Sequence, residues 1–119
     1  MITRQDFIQF LRVNVDLNIY EKRFTSYKNW NKKNEGGCSS TVRYEFPCEN
    51  ILKIFFNSTI ERERHEKNFE KEKICAFEMK KKDWKGMLEF GIFLKCDYLN
   101  SSENFFEVKI TSFIQLKTS

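Results

Sequence analysis

The chain has 119 residues, 40% of them hydrophobic and 32% charged, with a formal net charge of +4. This length and composition are typical of one globular domain and exclude a long disordered, collagen-like or linker-like chain. The small excess of basic residues is scattered among acids, so it permits nucleic-acid binding without requiring it. No run approaches the roughly 20 apolar residues that a membrane-spanning helix needs.

The first 20 residues predict a short helix followed by a strand. Thr3 and Asp6 are suited to cap a helix, and Phe7, Phe10 and Leu11 follow at helical spacing. From residue 13 to residue 19 aliphatic and polar residues alternate, which predicts a half-buried strand. Residues 21–40 are polar, contain a Gly pair and predict a connection.

Residues 41–117 predict a series of antiparallel strands. Apolar or alternating runs mark strands at 42–46, 51–56, 75–79, 87–96 and 106–116. Pro47 is expected to end the first of them, because proline has no N–H to donate to a neighbouring strand. The predicted fold is mainly β and antiparallel, with a short N-terminal helix, in a single domain spanning 1–119.

The segment 61–73 is the most highly charged part of the chain. It holds five acidic and five Lys or Arg residues with little apolar surface, which is typical of a solvated loop or a single frayed helix. His65, the one histidine, lies in it and is expected on the solvated surface, with no adjacent Ser or Cys to form a nucleophile and base pair. We predict no catalytic residue and therefore no enzyme.

The cysteines are widely spaced, without a C-x-x-C pair: Cys38, Cys48, Cys75 and Cys96. Structural zinc sites normally contain such a close pair, so we expect reduced, partly buried thiols, and neither a metal nor a cofactor. The N-terminus lacks a basic region followed by an apolar one, and we expect the protein in the cytoplasm or nucleus.

Aromatic and basic residues lie close together in the polar connection, at Tyr27, Lys28, Trp30, Lys32 and Lys33. Aromatic rings beside cations are typical of surfaces that bind single-stranded nucleic acid, and an unstructured basic connection has the same composition. One alternative function is therefore nucleic-acid binding by a small OB-like β-barrel, with Tyr27, Trp30, Lys32 and Lys33 as contacts. Another is a structural subunit of a larger complex.

The segments 74–80, 88–97 and 106–110 carry a family resemblance. A basic strand, then Gly91-Ile92-Phe93-Leu94-Lys95-Cys96-Asp97, then an alternating strand resemble the middle of a MATH (meprin and TRAF homology) domain of the divergent nematode type. The resemblance implies an antiparallel, TRAF-like β-sandwich, here incomplete, that binds short extended segments of partner proteins.

The same resemblance implies a role in substrate recognition for a cullin-type ubiquitin ligase, with the partner lying along a strand edge or groove. We take Met87, Phe90 and Phe106 as candidate partner contacts. Met87 lies on the strand where the resemblance places groove residues, whereas the alternation around Phe90 and Phe106 is also typical of core. The alternating segment 13–19 is expected to fill part of the incomplete sheet.

Overall fold

A computed structural model of the chain describes residues 3–15, 20–28, 39–82 and 89–118. Within these ranges two helices, α1 (Arg4–Val15) and α2 (Thr59–Glu72), accompany seven strands. The strands are β1 (Tyr20–Thr25), β2 (Ser39–Thr41), β3 (Arg43–Cys48), β4 (Ile51–Phe55), β5 (Ile74–Lys81), β6 (Glu89–Ser101) and β7 (Phe105–Thr118). They form one antiparallel sheet in the order β2-β1-β5-β6-β7-β4-β3, which confirms the mainly antiparallel β prediction.

The sheet curls until its two ends meet at Val42. β2 and β3 stand at opposite ends of the strand order, yet Val42 alone separates them in the chain. The Val42 N–H donates to the carbonyl oxygen of Lys22 over 2.8 Å, which extends the β1–β2 pairing by one residue. One continuous stretch of chain therefore pairs with β1 through its first part and with β4 through its second.

The inner face of the curled sheet holds one aromatic-rich core. Phe24 of β1 contacts the rings of Phe56, Phe77 and Phe106 edge-on, at centroid distances of 5.4–5.8 Å. Around them lie the other buried inward side chains of the strands, including Tyr44, Leu52, Ile54, Met79, Ile92, Leu94, Val108 and Ile110. Because the sheet curls, strands far apart in the strand order share this core.

Helix α1 packs against the inner face beside β3 and β7. Ile8 and Leu11, three residues apart, are buried in the core. Of the predicted apolar positions Leu11 is therefore confirmed, whereas Phe10 is 37% exposed. The Tyr44 hydroxyl donates to the Leu11 carbonyl oxygen over 3.4 Å, and the Phe10 ring meets Phe90 edge-on at 5.9 Å. Neither helix of the described ranges is long and apolar enough to cross a membrane.

Helix α2 forms although it has little apolar surface, because its ends are capped. The Ser58 hydroxyl accepts a hydrogen bond from the Glu61 N–H, and Lys73 ends the helix in the left-handed conformation, at φ 58°. Arg62 pairs with Glu66 one turn further along the helix, a spacing that stabilises isolated helices. The segment 61–73 is thus the helix, and not the loop, of the two predicted alternatives.

The strand prediction for residues 13–19 is wrong where the structure describes them, because residues 13–15 belong to α1. Burial of Ile8 and Leu11 favours continuing the helix over the local alternation, and Val13 remains 55% exposed. Residues 16–19 lie outside the described ranges.

Further boundaries differ from the prediction. Ser39 and Ser40 belong to β2, within the stretch 21–40 that we expected to be a connection, and β6 continues to Ser101, past the predicted end at residue 96. Residues 21–25 belong to β1, where we expected part of the connection. The inward position before Phe24 is occupied by Lys22, whose ammonium lies over the Tyr44 ring at 5.1 Å, so the sequence of this strand shows no apolar alternation. Pro47 does not end β3, which continues to Cys48 with a shift of register after Glu45. Such a shift accommodates a residue that cannot donate a hydrogen bond.

Phe24→Ala is expected to lower the free energy of unfolding by about 3–5 kcal/mol, because it removes a buried ring from the centre of the core. Urea denaturation followed by circular dichroism measures the change. The matched control is Phe55→Ala on the outer face of β4, with an expected loss of about 1 kcal/mol. Equal losses for the two variants would contradict the central position of Phe24.

Candidate functional site

His65 points from α2 into the aromatic core. Its ring stacks on Phe56 at a centroid distance of 5.3 Å and meets Phe24 edge-on at 5.4 Å, and none of its surface is exposed. The expectation of a solvated histidine is therefore wrong. The signal in the sequence was the spacing to Phe69: four residues apart on a helix, the two side chains share a face, and both are buried.

The fold brings a serine to His65 from 25 residues away in the chain. Ser40 Oγ lies 2.8 Å from His65 Nε2, and the Arg64 guanidinium donates to the same Oγ over 3.3 Å. A guanidinium can only donate, so Oγ accepts from Arg64. Oγ still has one proton and one lone pair, and it therefore either donates to Nε2 or accepts from an Nε2–H, according to the tautomer of the imidazole. In either tautomer Nδ1 is buried without a hydrogen-bond partner among the described residues.

His65 is neutral at pH 7, because burial and, secondly, the positive charge of Arg64 lower its pKa from 6.5 to about 4. A serine hydroxyl within hydrogen-bond distance of a neutral imidazole is the start of a nucleophile and base pair. Among the described residues no third group orients the imidazole through Nδ1, and Ser40 is only 3% exposed. The pair therefore serves as a buried polar contact that joins α2 to β2, which we call the His65 contact.

The outer face of β3, β4 and β7 carries a second arrangement. Arg43, Phe55 and Phe105 are directly opposite one another on the three strands. The Arg43 guanidinium lies 3.9 Å from the centroid of Phe55, Lys53 Nζ lies 4.4 Å from that of Phe105, and the two ring centroids are 5.3 Å apart. We call these four residues the aromatic–cationic row.

Charges around the aromatic–cationic row cancel. Glu45 and Glu107 flank Lys53 in the next register position, and the Glu45 carboxylate pairs with Arg43 at 2.7 Å. Two positive and two negative side chains therefore share this surface. The rings of Phe55 and Phe105 are half-buried, while the residues beside them in the chain, Ile54 and Phe106, fill the core.

The partner contacts predicted from the sequence do not belong to the aromatic–cationic row. Phe106 has no exposed surface and Phe90 is 8% exposed, and both pack in the core, so the structure places them beneath the surface where we expected contacts. Their alternation along the strands marks inward positions. Met87 lies outside the described residues.

The predicted nucleic-acid contacts are described only at Tyr27. The Tyr27 ring packs on Phe93 at 5.0 Å, and its backbone N–H donates to Glu72 Oε2 over 2.8 Å. Both contacts are with the chain itself. Trp30, Lys32 and Lys33 lie outside the described residues.

The cysteines of the described ranges have free thiols. Cys75 and Cys96 are buried and Cys48 is exposed, whereas Cys38 lies outside those ranges. Burial, and then a hydrogen bond with Cys96, raise the pKa of the Cys75 thiol, so it is protonated and weakly nucleophilic. Among the described residues no group of three His, Cys, Asp or Glu side chains is placed to hold a metal ion.

No protein-family model, curated protein or solved structure matches the chain.

Ser40→Ala is expected to lower the free energy of unfolding by about 1–3 kcal/mol, because it leaves Nε2 of the buried His65 without a partner. Urea denaturation near pH 7.5 is the measurement, since His65 is neutral there in both folded and unfolded chains. Ser39→Ala, on the opposite face of β2, is the control and should change stability by less than about 0.5 kcal/mol. A Ser40 variant as stable as this control would show that the His65 contact contributes nothing.

Proposed function

We propose that the chain is a non-enzymatic module that binds a partner protein at the outer face of β3, β4 and β7. The observation that carries this proposal is the aromatic–cationic row. Phe55 and Phe105 are large apolar side chains on the face of the sheet that points away from the core, and their rings are in contact with each other and with Arg43 and Lys53.

Arginine and aromatic side chains are enriched among the residues that dominate binding energy in protein interfaces. In the row their conformations are fixed before a partner arrives, because each cation lies over a ring and each ring lies against its neighbour. Binding then orders few additional side chains, and each rotamer-rich side chain that association must immobilise costs about 0.5–1.5 kcal/mol.

The free edge of β3 supports an extended partner segment. Within the described residues β3 pairs with β4 only, and Arg43, the first residue of the row, lies on this strand. An added strand can therefore hydrogen-bond to the β3 edge while its side chains reach the row. Pro47 and the register shift restrict such pairing to the part of β3 before Pro47.

The cancelling charges favour a polypeptide partner over a nucleic acid. Nucleic-acid affinity depends on cations that neutralise phosphates, whereas here Glu45 and Glu107 already compensate Arg43 and Lys53. A segment with apolar and charged side chains of both signs complements this face. We therefore propose a protein partner, and the nuclease treatment in the test below distinguishes it from a nucleic acid.

Partner binding is also the class of function that the MATH resemblance implies. The narrower form of the proposal is recognition of substrates for a cullin-type ubiquitin ligase, by a TRAF-like domain in the cytoplasm or nucleus. This form rests on the resemblance alone.

The double variant Phe55→Thr, Phe105→Thr is expected to lose at least about tenfold in partner capture, because it removes both rings while keeping residues that favour strands. The measurement is affinity capture of the tagged chain from nuclease-treated extract, with quantitative mass spectrometry of the retained proteins. Ile74→Thr, a half-buried position on the outer face of β5, is the matched control and should retain the partners.

Thermal unfolding of all three proteins separates loss of binding from loss of folding. Partners retained equally by the double variant would overturn the assignment of the surface. Loss of every partner from the parent chain on nuclease treatment would overturn protein binding in favour of nucleic acid.

A further inference from the structure

The His65 contact joins helix α2 to the short strand β2. Within the described residues β2 has three residues and pairs with β1 alone, through Arg23, Phe24 and Thr25. Helix α2 is also attached through Arg62, which donates to the Glu103 carbonyl oxygen, and Glu72, which accepts from the Tyr27 N–H. In α2 the buried residues are His65 and Phe69. His65 thus supplies one of the two side chains that anchor α2 in the core, and its bond to Ser40 connects that helix to β2.

The groups that face His65 leave a positive charge on its ring uncompensated. Ser40 faces it from β2, Phe24 from β1 and Phe56 from the residue after β4, and all three are uncharged. On its own helix the charge that acts on the ring is that of Arg64, which is positive. Glu61 lies one turn earlier, but within the described ranges Glu61 Oε2 and His65 Nδ1 both lack a hydrogen-bond partner, so the two groups are not paired. Protonation would also leave a charged, buried N–H at Nδ1, which has no hydrogen-bond partner among the described residues.

We propose that protonation of His65 releases α2 and β2 from the curled sheet, so that the fold opens locally in mildly acidic solution. The opened state exposes the edge of β1 that β2 covers, while the pairings of β6 with β5 and with β7 persist. This inference concerns the inner face of the sheet and is independent of the proposed partner site on the outer face.

The direction of the pH dependence follows from linkage. An exposed histidine takes up its proton near pH 6.5, whereas His65 in the closed fold does so only near pH 4. Neutral His65 therefore stabilises the closed state fully above pH 7. This stabilisation decreases progressively as the pH falls towards 4, and protonation of His65 causes no further loss below pH 4. Between pH 7 and pH 5 these two values give an increase of about 20-fold in the opening equilibrium.

Hydrogen exchange of the intact chain, followed by mass spectrometry and corrected for the intrinsic pH dependence of exchange, tests the proposal. Peptides covering β2 and α2 should show the increase of about 20-fold between pH 7 and pH 5, and peptides from β5 and β6 should not change. In His65→Gln, whose side chain cannot be protonated, this pH dependence should disappear. An NMR titration of the single histidine in the parent chain provides a measurement that needs no variant.

Three outcomes would overturn the inference. Equal acceleration in β5 and β6 would mean that acid unfolds the whole fold and does not open it locally. The same pH dependence in His65→Gln would assign it to another group. A His65 that titrates near pH 6.5 in the parent chain, without a change in exchange, would show that protonation does not disturb the contact.

Discussion

Val42 lies between two strands that belong to opposite ends of the strand order, and the curvature of the sheet depends on this connection. β2 must pair with β1 and β3 must pair with β4, yet the two strands are adjacent in the chain. Both pairings are satisfied only if the sheet curls until β1 and β4 approach the same stretch of chain. The hydrogen bond from the Val42 N–H to Lys22 marks the point of closure. The shared core, in which Phe24 of β1 contacts Phe56 and Phe106, follows from that curvature.

The position of His65 is a second consequence of the closure. Because β2 pairs with β1, Ser40 lies next to helix α2, and its Oγ is within hydrogen-bond distance of the His65 imidazole. A titratable ring is thus placed among Phe24 and Phe56, where only its neutral form fits. A flat sheet would have left Ser40 at a distant edge and this imidazole without a partner for Nε2.

Apolar runs and alternation made much of the later part of the fold predictable. β4 was marked by an almost continuous apolar run and β5 by alternation, and both lie where the pattern placed them, as does most of β7. β6 continues to Ser101, past its predicted end at residue 96. β1 was missed because Lys22 occupies an inward position, with its ammonium over the Tyr44 ring. Helix α1, which buries Ile8 and Leu11, continues to Val15, although the alternation from residue 13 had predicted a strand there. These errors occur where a contact distant in sequence decides the local structure.

The candidate sites were largely beyond the reach of the sequence. The aromatic–cationic row requires the register that sets Arg43, Phe55 and Phe105 opposite one another, and no local pattern encodes that register. The Ser40–His65 pair likewise joins residues that the closure brings together. Of the residues proposed from sequence as contacts, Phe90 and Phe106 are inward, in agreement with the alternation around them that is also typical of core.

Pro47 affects how readily copies of the chain can associate through the edge of β3. An unprotected sheet edge can recruit the same edge of another molecule and so begin the growth of aggregates. In β3 a residue without an N–H and a shift of register after Glu45 interrupt the regular row of donors and acceptors. A second copy would find only a short stretch to pair with, too short for a stable two-stranded association in water. The irregularity in β3 therefore limits self-assembly, and any strand that adds to this edge needs side-chain contacts in addition to backbone pairing.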